Sequence, residues 1–131
     1  MFNKAQSSAE LIMLIGFVLF FFTVFFLVVQ ENVSDKIREK NNLAVKEIAS
    51  IVQDEIALAS ESSDGYSRQF KLPEKIENQD YDINITEDMV YVKTQNDKYA
   101  TSLPILAITG AIVKGDNKIK KESGEVKLNE E

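Results

Sequence analysis

Glu10 is the ionisable side chain whose position asks most for an explanation. It stands directly before Leu11–Val29, a run without charge in which only Gly16 and Thr23 interrupt the apolar side chains. A carboxylate at the edge of such a run is costly in hydrocarbon and normally has a partner. Ser7-Ser8-Ala9-Glu10 supplies a local one, because it reads as a capping box with Ser7 at the cap and Glu10 reaching back. The helix dipole favours an anion at the same place. Other chemistry is sparse. The chain has no histidine and no cysteine, so zinc-type sites, His-based triads and disulfides are excluded. No glycine-rich phosphate loop follows a strand. Asp88, Asp97 and Asp116 lie near expected turns, but none has calcium-loop spacing. They read as turn formers, and neither a catalytic residue nor a metal or cofactor is expected. Two Asn-x-Ser/Thr acceptor sequences occur, at Asn32 and Asn84. Asn84 is the better placed for N-glycosylation, since it alternates with the inward Ile83 and Ile85. Asn32 falls on a helix just beyond the apolar run, too near a bilayer for easy modification. An exposed asparagine without sugar is the plain alternative for both.

The element that positions Glu10 is the apolar run itself. As a helix, Leu11–Val29 spans about 28 Å, close to the hydrocarbon thickness of a bilayer. Each central Leu, Ile, Phe or Val contributes roughly −0.3 to −0.6 kcal/mol to insertion, so the run strongly favours a membrane. It is a span when newly made, or later a helix buried among equally apolar helices. A secretory signal peptide would place small residues after its apolar core. Here Val28-Val29-Gln30-Glu31 follows it, and the small polar residues Ala5-Gln6-Ser7-Ser8-Ala9 lie in front.

That arrangement resembles the class III signal peptide of archaeal type IV pilins and archaellin-like proteins. The matching residues are Lys4, Ala5, Gln6, Ser8, Glu10 and Leu14, giving Gln-x-Ser-x-Glu-x-x-x-Leu after a charged and a small residue. The resemblance implies cleavage between Ala5 and Gln6 by a prepilin peptidase. A five-residue leader would be lost, short for the family and with Lys4 its one basic side chain, and the apolar helix retained. It further implies that Glu10 pairs with the new Gln6 amine of a neighbouring subunit. Such a pair forms only after cleavage and only between subunits, and so sets axial register in a filament. Capping and pairing can coexist.

Beyond the run, Glu31–Ser60 contains no Gly or Pro. Ile37, Ala44, Ile51 and Leu58 recur every seven residues, with Ile48 between them and Val45 and Val52 broadening the stripe. This predicts an amphipathic helix with a sheet-facing seam. Nothing breaks it from the span, so one helix from about Ser8 to Ser60 is expected, about 80 Å long. Asn41 and Glu55 at the alternate seam positions weaken a pure coiled-coil reading. Ser62-Ser63-Asp64-Gly65 stops the helix. Short strands follow: Tyr66–Leu72, ended by Pro73; Tyr81–Thr86; Val90 and Val92 after a Glu87-Asp88 turn; Tyr99–Leu103 after Gln95-Asn96-Asp97-Lys98. Ile105–Val113 suits a buried strand or a short crossover. Lys118–Lys120 and Glu125–Leu128 flank Glu122-Ser123-Gly124 as a last hairpin. Arg68 reads as an ordinary surface charge or as the partner of an acid on the helix. Tyr66, Tyr81, Tyr91 and Tyr99 read as sheet packing or as an exposed adhesive stripe.

The expected fold is therefore α+β. Residues 1–5 form the leader, 6–30 an apolar transmembrane or filament-core helix, 31–62 its amphipathic continuation and 63–131 an antiparallel β-sheet module. A long helix with a meandering sheet on its distal half is also the type IV pilin plan, and Tyr66-Ser67-Arg68-x-Phe70-x-Leu72-Pro73 resembles stretches of small archaeal proteins with the same signal. Lys4 and Glu10 cancel, so the whole net charge of −6 falls beyond the span. That acidity argues against nucleic acid. Lys36, Arg38, Lys40 and Lys46 outnumber Lys4 and by the positive-inside rule put the module in the cytoplasm. The signal motif puts it outside, and acidic neighbours interleave with those four bases. The resemblance implies a structural pilin subunit with other subunits, a prepilin peptidase, an assembly platform and the membrane as partners. The alternative is a minor or non-assembling pilin-like protein, a single-pass anchored surface module.

Overall fold

The computed structural model describes residues 2–130, with side chains from Gln6 to Glu130. The fold is α+β. One helix, α1 (Phe2–Glu61), precedes seven strands: β1 (Ser67–Leu72), β2 (Tyr81–Thr86), β3 (Met89–Thr94), β4 (Ala100–Pro104), β5 (Thr109–Gly110), β6 (Gly115–Glu122) and β7 (Glu125–Leu128). The chain divides into two compact units, Met1–Arg38 and Glu39–Glu131.

In the first unit the backbone is helical from Phe2, which overturns the expected start near Ser8. Ser7 lies inside the helix and cannot be its N-cap. The residues before it, Asn3-Lys4-Ala5-Gln6, contain no Gly or Pro to stop the helix propagating backward.

In the second unit, helical spacing puts Val45, Ile48, Ala49, Val52, Ile56 and Ala59 on one buried arc, packed in a single cluster with strand residues such as Leu72, Tyr81, Val90, Val92, Ile119 and Leu128. The expected seven-residue seam is off-centre. Ala44 and Ile51 are only partly buried, and Leu58 is 42% exposed. Ile37, in the first unit, is exposed as well. A strict heptad drifts by about 20° per repeat on a straight helix, so the line through Ala44, Ile51 and Leu58 rotates off the buried arc. Asn41 instead lies on that arc and is buried. α1 ends where Ser62 bonds back to the Leu58 carbonyl through both its amide and its hydroxyl, and Gly65 turns the chain with φ +93°.

The strands form two sheets rather than one. β2-β3-β4 is an antiparallel meander, and the four-stranded sheet has the order β1-β6-β7-β5. β5 runs parallel to β7, the one departure from an antiparallel plan. Ile105–Val113 proves to be neither a buried strand nor regular structure beyond β5, with Ile112 its buried residue. Gly110 is required there: at φ +101°, a Cβ would stand 1.9 Å from the Leu128 carbonyl oxygen. Asp116 lies within β6 rather than in a turn, while Asp97 occupies its expected turn with φ +54° and an ion pair to Lys93 at 2.8 Å.

Candidate functional site

The surface of the first unit is built by composition alone. Between Leu11 and Val29 the large apolar side chains are exposed on every side of the helix, from 42% at Val29 to 78% at Met13. Phe17 and Phe21, one turn apart, sit 6.1 Å apart between ring centroids. Thr23 turns its hydroxyl onto the Leu19 carbonyl at 2.8 Å, so the one polar side chain of the run satisfies itself within the helix. The helix is long and apolar enough to cross a membrane. Below it the surface becomes polar, with Gln30, Glu31, Ser34, Asp35 and Arg38 around a shallow hollow beside Leu27.

Gln6, Ser8 and Glu10 occupy the turns before this surface, and all three are exposed. Gln6 and Glu10 are four residues apart and lie on one helix face; Ser8 is turned away from it. The side chains of Lys4 and Ala5 lie outside the described residues. The two acceptor asparagines are not brought to this site or to each other. Asn32 is on the first unit's helix, where its amide donates to the Val28 carbonyl at 3.0 Å. Asn84 stands exposed on β2.

In the second unit the tyrosines form no stripe. Tyr81 is fully buried, Tyr66 and Tyr99 are half-buried, and Tyr91 is exposed. The Tyr81 hydroxyl donates to the Pro73 carbonyl, and the Lys114 ammonium lies 5.2 Å from its ring centroid. Burial, followed by the Glu74 carboxylate, pushes its phenol from 10.0 up to about 12. Lys93 is held above its usual range by the hydrogen bond and charge of Asp97. Glu122 is lowered by its hydrogen bond from Lys127 and the charge of Lys120. Arg68 pairs with Glu55 of the helix at 3.5 Å. Among the described residues, no group of three or more His, Cys, Asp or Glu side chains is gathered as a metal would need.

Two polar devices escaped the sequence reading. The Lys121 ammonium donates to the carbonyls of Ser60 at 2.6 Å and Ser62 at 2.8 Å, closing the C-terminal end of α1. Buried Asn117 receives the Val113 amide, donates to the carbonyls of Val113 and Gly115, and accepts from Asn129. The signal for both was phase. Asn117, Ile119 and Lys121 share the inward alternation of β6, and a polar residue in an inward slot announces a partner.

The chain matches no known family, no curated protein and no solved structure.

Proposed function

We propose that the chain is a precursor pilin, a structural subunit of a type IV pilus-like surface filament. The observation that carries the reading is the apolar surface of Leu11–Val29, uncovered on all sides. Each such side chain gains roughly 1.5–3 kcal/mol on full burial. Lipid covers the helix before assembly, and the helices of other subunits cover it afterwards. Leaving the bilayer for a bundle of like helices then exchanges one apolar surrounding for another.

The residues in front of the span support the processing step. A prepilin peptidase cuts between Ala5 and Gln6 and frees the Gln6 amine. That cation pairs with the Glu10 carboxylate of an adjacent subunit, one pair per subunit, and so sets axial register. An uncleaved chain has no such amine and stays in the membrane as a single-pass protein. The sheet-bearing second unit forms the filament exterior, and the assembly platform draws subunits from the membrane. The proposed role requires no catalysis by the chain.

N-terminal sequencing of the mature protein, with electron microscopy of surface filaments and mass spectrometry of their subunits, tests this. The mature chain is expected to begin at Gln6 and to be recovered from filaments. A chain starting near Glu31, or one never cut, would overturn the pilin reading. Cleavage at Gln6 with the protein confined to the membrane would favour the minor, non-assembling role.

A further inference from the structure

β2 is an edge strand of the three-stranded sheet, and its solvent face carries Asp82, Asn84 and Thr86. The register sets Asn84 directly opposite Tyr91, and Thr86 opposite Met89. Side chains so paired share a face, with Cβ atoms about 4.5–5.5 Å apart. Tyr91 and Met89 are the large apolar side chains that this sheet leaves in solvent, 39% and 38% exposed. β4 completes the face with Ser102 opposite Tyr91 and Pro104 opposite Met89. Thus the acceptor asparagine and the hydroxyl residue of its sequence both abut one short apolar strip. The Thr86 hydroxyl also bonds to the Met89 carbonyl at 3.2 Å, holding the two strands together at this point.

We propose that Asn84 carries an N-linked glycan whose first sugars lie over Tyr91 and Met89. The C–H face of a pyranose is apolar and fits an aromatic face, while its outward hydroxyls stay in water and its edge meets Ser102. In the transfer, the Asn84 side-chain nitrogen bonds to the anomeric carbon of a polyprenyl-phosphate-linked oligosaccharide. The anomeric C–O bond breaks, the lipid phosphate leaves with its electron pair, and the amide nitrogen gives up one proton to the transferase. Asn32 stays unmodified, because it lies on a helix just past the span, too near the bilayer for easy modification. The inference rests on the proposed location of the second unit outside the membrane.

The full-length protein from its native host provides the test, in two arms. In intact cells, a membrane-impermeant amine reagent reports whether the lysines of the second unit face outward. Mass spectrometry of the peptide containing Asn84 reports the sugar. A glycan mass on Asn84 is expected, abolished in Asn84→Gln and Thr86→Val but kept in Thr86→Ser, with the Asn32 peptide bare. Outward labelling with bare Asn84 overturns the glycan and spares the outward location; absence of labelling overturns both. Removing the sugar should lower the Tm by a few degrees, a shift expected for a fraction of a kcal/mol to 1 kcal/mol in a domain of this size. In the Tyr91→Thr background that shift should vanish. An equal shift in both backgrounds overturns the packing on Tyr91.

Discussion

Val24 and Val52 are the same residue in the same helix, yet Val24 is 44% exposed and Val52 is fully buried. The apolar face of Val52 is covered by strands of its own chain, and its burial is part of the free energy that folds the second unit. Val24 has no such cover within its unit. In the proposed role its burial energy is realised in lipid or against another subunit. The two stretches of α1 therefore answer to different surroundings: the second unit to its own sequence, the first to what lies around it.

The largest test of this contrast is to separate the stretches. A fragment of residues 35–131 should be a soluble, cooperatively folding monomer, whereas the full chain should require detergent. Sedimentation checks both, and strong self-association of the fragment would instead favour a coiled-coil assembly.

Next comes Glu10→Gln. If Glu10 faces the Gln6 amine of a neighbour, the change strands a buried cation and costs about 3–5 kcal/mol, against no more than about 0.5 kcal/mol for an exposed side chain without that partner. The variant should be processed and held in the membrane yet enter filaments poorly. The ratio of filament-borne to membrane-borne protein at matched expression measures this, and an unchanged ratio would remove the pair from the account.

Within the second unit, Ile56→Ala should destabilise the 35–131 fragment by about 2–5 kcal/mol. Leu58→Ala should change it by no more than about 0.5 kcal/mol. Urea unfolding of both variants checks the corrected centre of the stripe, and equal losses would restore the seven-residue seam.

The smallest expected effect is electrostatic. The unfolded chain releases the Tyr81 proton near pH 10, and the folded chain holds it to about 12. Stability from this group is intact below pH 10 and is lost as pH rises from 10 to about 12. Urea midpoints across that window should fall more steeply for the wild type than for Tyr81→Phe; parallel curves would discount the group.

What was legible in the sequence was local. The alternation of Tyr81, Ile83 and Ile85, the turns at Glu87-Asp88 and Asn96-Asp97, and the helix stop before Gly65 all depend on neighbours in the chain. The centre of the helical stripe was not, because Ile51 and Leu58 are as apolar as Val45 and Ile56. Only the sheets decide which of them is covered. The split into two sheets depends on β6 choosing β1 and β7, and β5 lies parallel to β7 through a glycine that closely approaches Leu128. No periodicity announces such a choice. Arg68 gave two readings, and the nearness of Glu55 decides for the ion pair. At Glu10 the residue type and its cost were legible. The proposed partner belongs to another copy of the chain, which no reading of one sequence can position.

The pairing of β1 with β6 also has a consequence in time. β2, β3 and β4 join chain neighbours across short turns, but β1 pairs with a strand made only after that whole meander. Closing a longer loop costs more entropy and delays the contact. On a growing chain β1 therefore waits with both edges open, while the apolar stretch of α1 ahead of it has already emerged. Inserting a flexible segment between Leu106 and Ala107, both exposed, should slow refolding of the 35–131 fragment without altering the meander's own closure. Until β6 arrives, the chain's risk is pairing with the β1 of a neighbour still being made.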